Sequence, residues 1–434
     1  MTPFSFLKSI SALVKAFIAR VTADGGIVEA ARCIVKNTAT LAMQPSGYKA
    51  TKLYSQKPSS GVGDFTVDRN GTKTRVNSLG LIESVAANVP SLDYTDGNCP
   101  SLLLEPQSTN FFSRSEEFED ANWIKARITI SSNTTSSPNG TLTADSLFCV
   151  ETSSNGCFIR QTTSLQNERT TSIFVKPNTG DYFQIHRNFG SGVVFDLGNG
   201  TVKQSVGATG TIKEYFNGWY RCTATFSDSG VSLFILGNEN MTVSSWFSTI
   251  NQSVYLWGAQ LEQSSVATSY IPTIGTTVTR LADVVGGAGD ASTFNDSEGV
   301  LFFEGARLLG SSNSVILSVN NGSVNNSVAV YYFTTGVRVD IFNSSGTRSL
   351  SFTMSLENQS LFNKIAIKYK SNDIALWVNG VEVAVNNQTL SLSGLNQISF
   401  DYGNGNFDFY GKTKDLQYYN TALTDAELTE LTTL

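Results

Sequence analysis

An all-β protein of two antiparallel sandwiches, set behind an N-terminal helix and an extended arm, is the fold this sequence predicts. Three observations lead there. Short runs of β-branched and aromatic residues recur along most of the chain, separated by Gly, Asn and Ser clusters. Charged residues make up only 15% of the chain, so Ser, Thr, Asn and Gly fill the positions that Lys and Glu usually hold. Thirty-six glycines against nine prolines supply turns that need positive φ. At 434 residues the chain is too long for one core, and two or three domains are expected.

The first element is the exception to the β pattern. In MTPFSFLKSISALVKAFIAR, Lys8 and Lys15 interrupt the apolar run, so neither a signal-peptide core nor a membrane span is expected. Phe4, Leu7, Ile10, Leu13, Val14, Phe17 and Ile18 recur instead at helical spacing and form one apolar stripe. Such a stripe needs a partner, and oligomerisation or attachment is the role expected of it. Residues 20–53, with turn signals at Asp24-Gly25-Gly26 and Pro45-Ser46-Gly47, read as an extended arm. Residues 54–110 read as a connector, with strands at Phe65-Thr66-Val67 and Leu81-Ile82-Glu83 and a hairpin turn at Asn70-Gly71.

The succession DFTVDR, TRVNSLGLIE, VPSLDY and CPSLLLEPQSTN, from Asp64 to Asn110, resembles a connector found in many bacteriophage tail and fibre proteins. Similar connectors occur in crAss-like phages. In that family a carbohydrate-binding-module-like jelly roll follows, and EEFEDANWIK, TSIFVKPNTG, FNGWYRCTATF, VYLWGAQLE and TSYIPTIGTTVTRLADV resemble its parts, to about Val284. The residues agree independently. In WYRCTATF, Trp219, Arg221, Thr223 and Thr225 fall on one face, and Tyr220, Cys222, Ala224 and Phe226 on the other. Residues 111–284 are therefore expected to be a jelly roll and 285–297, with Gly286-Gly287-Ala288-Gly289-Asp290, a flexible linker. Residues 298–434 resemble a concanavalin A or laminin G-like lectin sandwich. The resemblance centres on KIAIKYKSNDIALWVNGVEV, with turns at Ser371-Asn372-Asp373 and Asn379-Gly380. It ends in a short helix that Thr424 and Glu427 would close as a capping box.

Chemistry is sparse. Nucleophilic catalysis usually needs a base, and the single histidine, His186, sits in a probable strand where a structural role is expected. No hydrolase, Walker or dinucleotide motif occurs. Glu116, Glu117, Glu119 and Asp120 read as a solvated loop. Glu304 and Asp340 stand alone on their strands, without the alternating acids of a glucanase. A catalyst is not expected. Cys33, Cys99, Cys149, Cys157 and Cys222 include no C-x-x-C pair, which argues against a zinc cluster. Cys149 and Cys157 could meet across a hairpin, but reduced buried thiols are the expectation. Asp401, Asn404, Asn406 and Asp408 would suit calcium or a polar turn, and no metal or cofactor is assigned.

For glycan stacking, Trp123, Trp219, Trp257 and Trp377 are expected in cores, which leaves Trp246 and Phe247, in the loop SSWFSTIN, as the candidates. A net charge of −6 with scattered basic residues leaves no nucleic-acid footprint. The resemblance implies a non-catalytic virion protein, a head or tail fibre or decoration. Its N-terminus would join a capsid or tail protein, its oligomer would be a homotrimer, and its modules would face host-surface glycans from the virion surface. A purely structural fibre and a capsule depolymerase are the alternatives.

Overall fold

A computed structural model describes residues 38–49, 51–163, 168–187, 190–227, 230–310, 315–333, 336–356 and 358–434. The stripe from Phe4 to Ile18 and Cys33 lie outside the described residues. Within them the protein is all-β, with one 3-10 turn and a single short helix, Asp425–Thr432. No helix there is long and apolar enough to cross a membrane.

The jelly roll is two six-stranded antiparallel sheets. Sheet I runs in the order Trp123–Ala126, Cys157–Gln161, Ser232–Gly237, Tyr182–Arg187, Ser191–Asp196, Thr201–Val206. Sheet II runs Ile128–Thr135, Ala144–Cys149, Ser253–Glu262, Arg169–Pro177, Trp219–Phe226, Thr209–Tyr215. Alternation decides which side chains meet between them. Cys222, Ala224 and Phe226 join Ile173, Val175, Phe183, Ile185, Phe234 and Leu236 in the shared core, while Arg221, Thr223 and Thr225 point away from it. Trp123 is buried in this core against Phe112, Phe118 and Phe234.

The thiols depart from expectation. Cys149 ends a strand of sheet II, Cys157 begins one of sheet I, and the two form a disulfide. The bond joins the sheets across the end of the sandwich rather than bracing one hairpin. Cys222 is free and buried, and Cys99 is half-buried.

The order of domains also departs from a simple succession. The second sandwich has a five-stranded sheet and an eight-stranded one. Three strands of the larger sheet come from the N-terminal quarter of the chain. Leu41–Met43 and Ser101–Leu104 both pair with the last strand, Gly411–Tyr419, and Leu92–Asp93 pairs with Ser101–Leu104. Leu41, Met43, Leu53, Phe65, Val67, Leu92, Leu102 and Leu104 share one core with Leu301, Phe303, Val330, Ile365 and Tyr418. The described part of the expected arm is thus built into the fold, Leu41–Met43 as a buried strand of the large sheet and Tyr48–Lys49 with Lys52–Leu53 as a hairpin. The expected linker is likewise fixed: Val284–Gly286 pairs with Phe65–Asp68, Ala288 bridges Ile398, and Val285, Ala288 and Phe294 are buried.

The jelly roll is therefore an insertion into a discontinuous sandwich. It enters through Ser108–Asn110 and leaves through Val278–Arg280, which pair antiparallel as a two-stranded stalk. A buried ion network locks the base of this stalk. Asp283 takes Arg69 at 2.7 Å and Lys73 at 2.8 Å, and Lys73 also reaches Glu105 at 2.8 Å. All four side chains are almost fully excluded from water. Burial alone would raise the Glu105 carboxyl, but Lys73 and Arg280 outweigh it and hold it well below the usual range. The residues that carry the connector resemblance, Arg69 of DFTVDR and Glu105 of LLLEPQSTN, are the ones in this lock.

In the second sandwich the hairpin reads as the sequence predicts. Asn363–Lys370, Ile374–Val378 and Val381–Asn386 pair in turn, with Asn372 and Asn379 at positive φ in the two turns. The closing helix carries the full capping box of Thr424 and Glu427. Its Leu428 and Leu431 cover Trp377, Val300 and Phe302 on the outer face of the large sheet.

Candidate functional site

The two outer faces of the jelly roll are built differently, and the difference locates the site. Sheet I is covered by its own loop, residues 238–250. Met241 and Val243 are buried on Val194, Leu233 and Ile235, and Trp246 packs beside them. The Trp246 ring meets His186 edge-on at 4.5 Å and Phe158 at 6.4 Å, and its Nε1 donates to the Val243 carbonyl at 3.1 Å. The Val243 amide donates to Gln204, and Lys203 donates to the carbonyls of Glu239 and Met241. Gly156, at φ +69°, lets the neighbouring loop close in, since a Cβ there would lie 3.0 Å from Trp246 Cβ and 2.9 Å from Ile235. Trp246 is therefore half-buried as part of a lid, and its ring is not a free stacking platform. Phe247 is 42% exposed. The two candidates do not form one aromatic surface.

His186 lies beneath this lid. It is 2% exposed, Gln184 Nε2 approaches its Nδ1 at 3.0 Å, and burial lowers its pKa to about 4. That is a neutral packing residue.

Sheet II is open along one edge. The hairpin of Lys73–Val76 and Ile82–Val85 covers its middle, burying Val76 and Ile82 on Phe174, Trp219, Trp257 and Tyr270. Thr74 Oγ1 donates to the Tyr270 carbonyl at 2.6 Å, and the Ile82 amide to the Pro138 carbonyl at 2.9 Å. Beyond the hairpin, a cavity of about 580 Å³ remains between sheet II, the connector and the second sandwich. Its floor is the outer face of the last two strands. The register places Thr209 opposite Thr225, Thr211 opposite Thr223, and Lys213 opposite Arg221, and Tyr215, opposite Trp219, closes the row. Gly310, at φ +78°, brings the second sandwich against the jelly roll, because a Cβ there would lie 2.0 Å from Ser265 Oγ.

The polar groups of the cavity fall into two sets. Asp93 and Asp96 are held by Lys412, and Lys213 adds a contact to Asp96 at 3.1 Å. Burial would raise the Asp96 carboxyl, but Lys412 and Lys213 together hold it below its ordinary value. Burial would lower the Lys412 ammonium, but the two aspartates hold it high. Glu105 is committed to Lys73 and Ser269. The second set takes part in no ion pair among the described residues. Among the described residues, the hydroxyls of Thr209, Thr211 and Thr223 have no side-chain hydrogen-bond partner, and Arg221 has no carboxylate. Arg221 donates to Ser172 Oγ at 3.0 Å and lies over the Phe174 ring at 5.4 Å. Tyr215, half-buried against Phe174, has its phenol pKa raised by burial. Cation, free hydroxyls and ring edges on one wall make a surface suited to a polyhydroxylated ligand.

The acids read as a solvated loop are partly internal. Glu116 accepts from Tyr270 at 2.8 Å and its pKa is raised by burial, while Arg114 holds Glu117 and Asp120. Asp401 and Asp408 do share a turn, in which Asp401 accepts from the Gly403 amide and Asp408 from Tyr410. Burial raises Asp408 to about 6. Among the described residues no three His, Cys, Asp or Glu side chains group as metal ligands.

Neither a protein-family model nor a curated protein matches the sequence. Solved structures do show likeness. The Ruminococcus gnavus IT-sialidase CBM40 bound to α2,3-sialyllactose is 18% identical, over 33% of this chain and 92% of its own, with a TM-score of 0.28. The botulinum neurotoxin type G receptor binding domain is 12% identical, over 34% and 39%, with a TM-score of 0.27. The SAP-like pentraxin of Limulus polyphemus is 11% identical, over 30% and 68%, with a TM-score of 0.25. At that identity and overlap they carry no argument about what this chain binds.

Proposed function

We propose that the chain is a non-catalytic bacteriophage structural protein, a head or tail fibre or decoration at the virion surface, whose sandwiches bind host-surface glycans. The observation that carries glycan binding is the open wall of sheet II, where Thr209, Thr211 and Thr223 present free hydroxyls beside Arg221 and Tyr215. This moves the binding site from Trp246 and Phe247 to the cavity between the two sandwiches. The carboxylates lining it, Asp93 and Glu105, are both neutralised by lysine, which favours binding over acid–base chemistry. The virion role is supported by the resemblance of Asp64 to Asn110 to phage connectors. Attachment to a capsid or tail protein and trimer assembly rest on the stripe from Phe4 to Ile18. Weak contacts repeated in such an oligomer would gain by avidity.

Two experiments test the reading. Thr223→Trp fills the cavity and is expected to abolish binding of the purified chain to host surface polysaccharide, with Phe247→Ala unchanged. Equal binding by wild type and Thr223→Trp would remove the cavity from the account. For the virion role, gold-labelled antibody against residues 290–434 is expected to decorate intact particles. Unlabelled particles in a lysate that contains the protein would contradict it.

A further inference from the structure

The charge of the cavity wall goes further than glycan binding in general. Lys412 is matched by Asp93 and Asp96, Lys213 shares Asp96, and Arg75 is held by Glu83 at 2.7 Å. Glu105 belongs to the buried lock at the stalk. Arg221 is left as a half-buried guanidinium with the Ser172 hydroxyl, the Tyr215 phenol and the Phe174 ring for company and, among the described residues, no carboxylate. A cation withdrawn from water without an anion is costly, and a ligand that brings one relieves that cost. Lys213 lies directly across the strand pair from Arg221, so two cations share one stretch of wall against a single shared aspartate.

Resting on the glycan reading above, we infer that the cavity takes an acidic saccharide, with Arg221 pairing to a sugar carboxylate and Thr211 and Thr223 contacting ring hydroxyls. Arginine suits this because its planar fork can meet both carboxylate oxygens. A volume of about 580 Å³ suits a short oligosaccharide rather than a single ring.

The test uses the full chain and titration calorimetry with oligogalacturonate and oligoglucuronate, each beside its fully methyl-esterified form. Esterification removes the charge and keeps the ring, so the comparison needs no variant. The acid is expected to bind at least tenfold more tightly than the ester, and the advantage is expected to shrink with added salt. Arg221→Gln is expected to erase the difference between acid and ester, and Thr223→Val to weaken both alike. Equal binding of acid and ester would overturn the acidic preference while leaving glycan binding in place. No binding of either form, with wild-type melting behaviour intact, would overturn both.

Discussion

The two outer faces of the jelly roll start from the same kind of strand and end in opposite states. Sheet I carries Phe158, His186, Val194, Leu233 and Ile235 outward, an apolar set that must be covered, and residues 238–250 fold over it. Sheet II carries Thr209, Thr211, Lys213, Arg221 and Thr223 outward along one edge, a polar set that tolerates water, and among the described residues no loop of its own closes it. An exposed-looking tryptophan therefore marks the closed face, and unremarkable threonines mark the open one. Composition of the outward row, rather than the presence of an aromatic loop, decides which face is available.

Breaking the open face should cost most. Asp283→Ala leaves Arg69 and Lys73 buried without their shared carboxylate at the foot of the stalk, a loss of about 3–5 kcal/mol. A denaturant titration is expected to show it, and with it a loss of the cavity's connector wall and of glycan binding.

Acid should act on the closed face next. His186 has a pKa of about 4 in the fold, and its unfolded value is about 6.5. Below pH 6.5 the unfolded chain takes up a proton that the folded chain refuses, so stability falls from pH 6.5 to 4 and levels off below. The gap implies a loss of roughly 3 kcal/mol. His186→Gln should flatten this part of the profile, and an unchanged acid limb would contradict the buried neutral imidazole.

The disulfide ties both faces together at one end. Replacing Cys149 and Cys157 by serine is expected to lower stability by about 2.5 kcal/mol, the chain-entropy value for so short a loop. The Arg221 wall lies elsewhere, and its binding should survive. Trp246→Ala should cost roughly 2 kcal/mol, less than a fully buried tryptophan, and leave saccharide affinity within twofold. Phe247→Ala, at an exposed ring, should change neither by more than about 0.5 kcal/mol.

Local pattern made much of the fold legible. Alternation in Trp219–Phe226 gave both faces of a strand, Asn379-Gly380 gave a turn, and Thr424 with Glu427 gave a capped helix. Each of these is decided by neighbours a few residues apart. The nesting of one sandwich inside another was not legible, because Leu41–Met43 finds its partner in Gly411–Tyr419, far along the chain. Glycines at 286, 287 and 289 resembled a flexible joint, yet Val285 just before them and Ala288 among them pack into the core. The cavity was missed for the same reason. Its walls bring together Arg75, Asp93, Arg221, Leu309 and Lys412, and no segment contains more than a fragment of it. Trp246 drew attention as a loop aromatic, but its partners His186 and Phe158 are on other strands. Arg221 offered one usable signal: a lone cation in a row of threonines, on a face that alternation had already turned away from the core.

Hydrogen–deuterium exchange on the full chain, with and without host surface polysaccharide, tests the assignment of the open face most directly. Slowed exchange in Thr209–Tyr215, the edge strand, with residues 238–250 unaltered, is the predicted result. Protection confined to 238–250, with the edge strand unchanged, would return the site to the tryptophan loop and contradict the account.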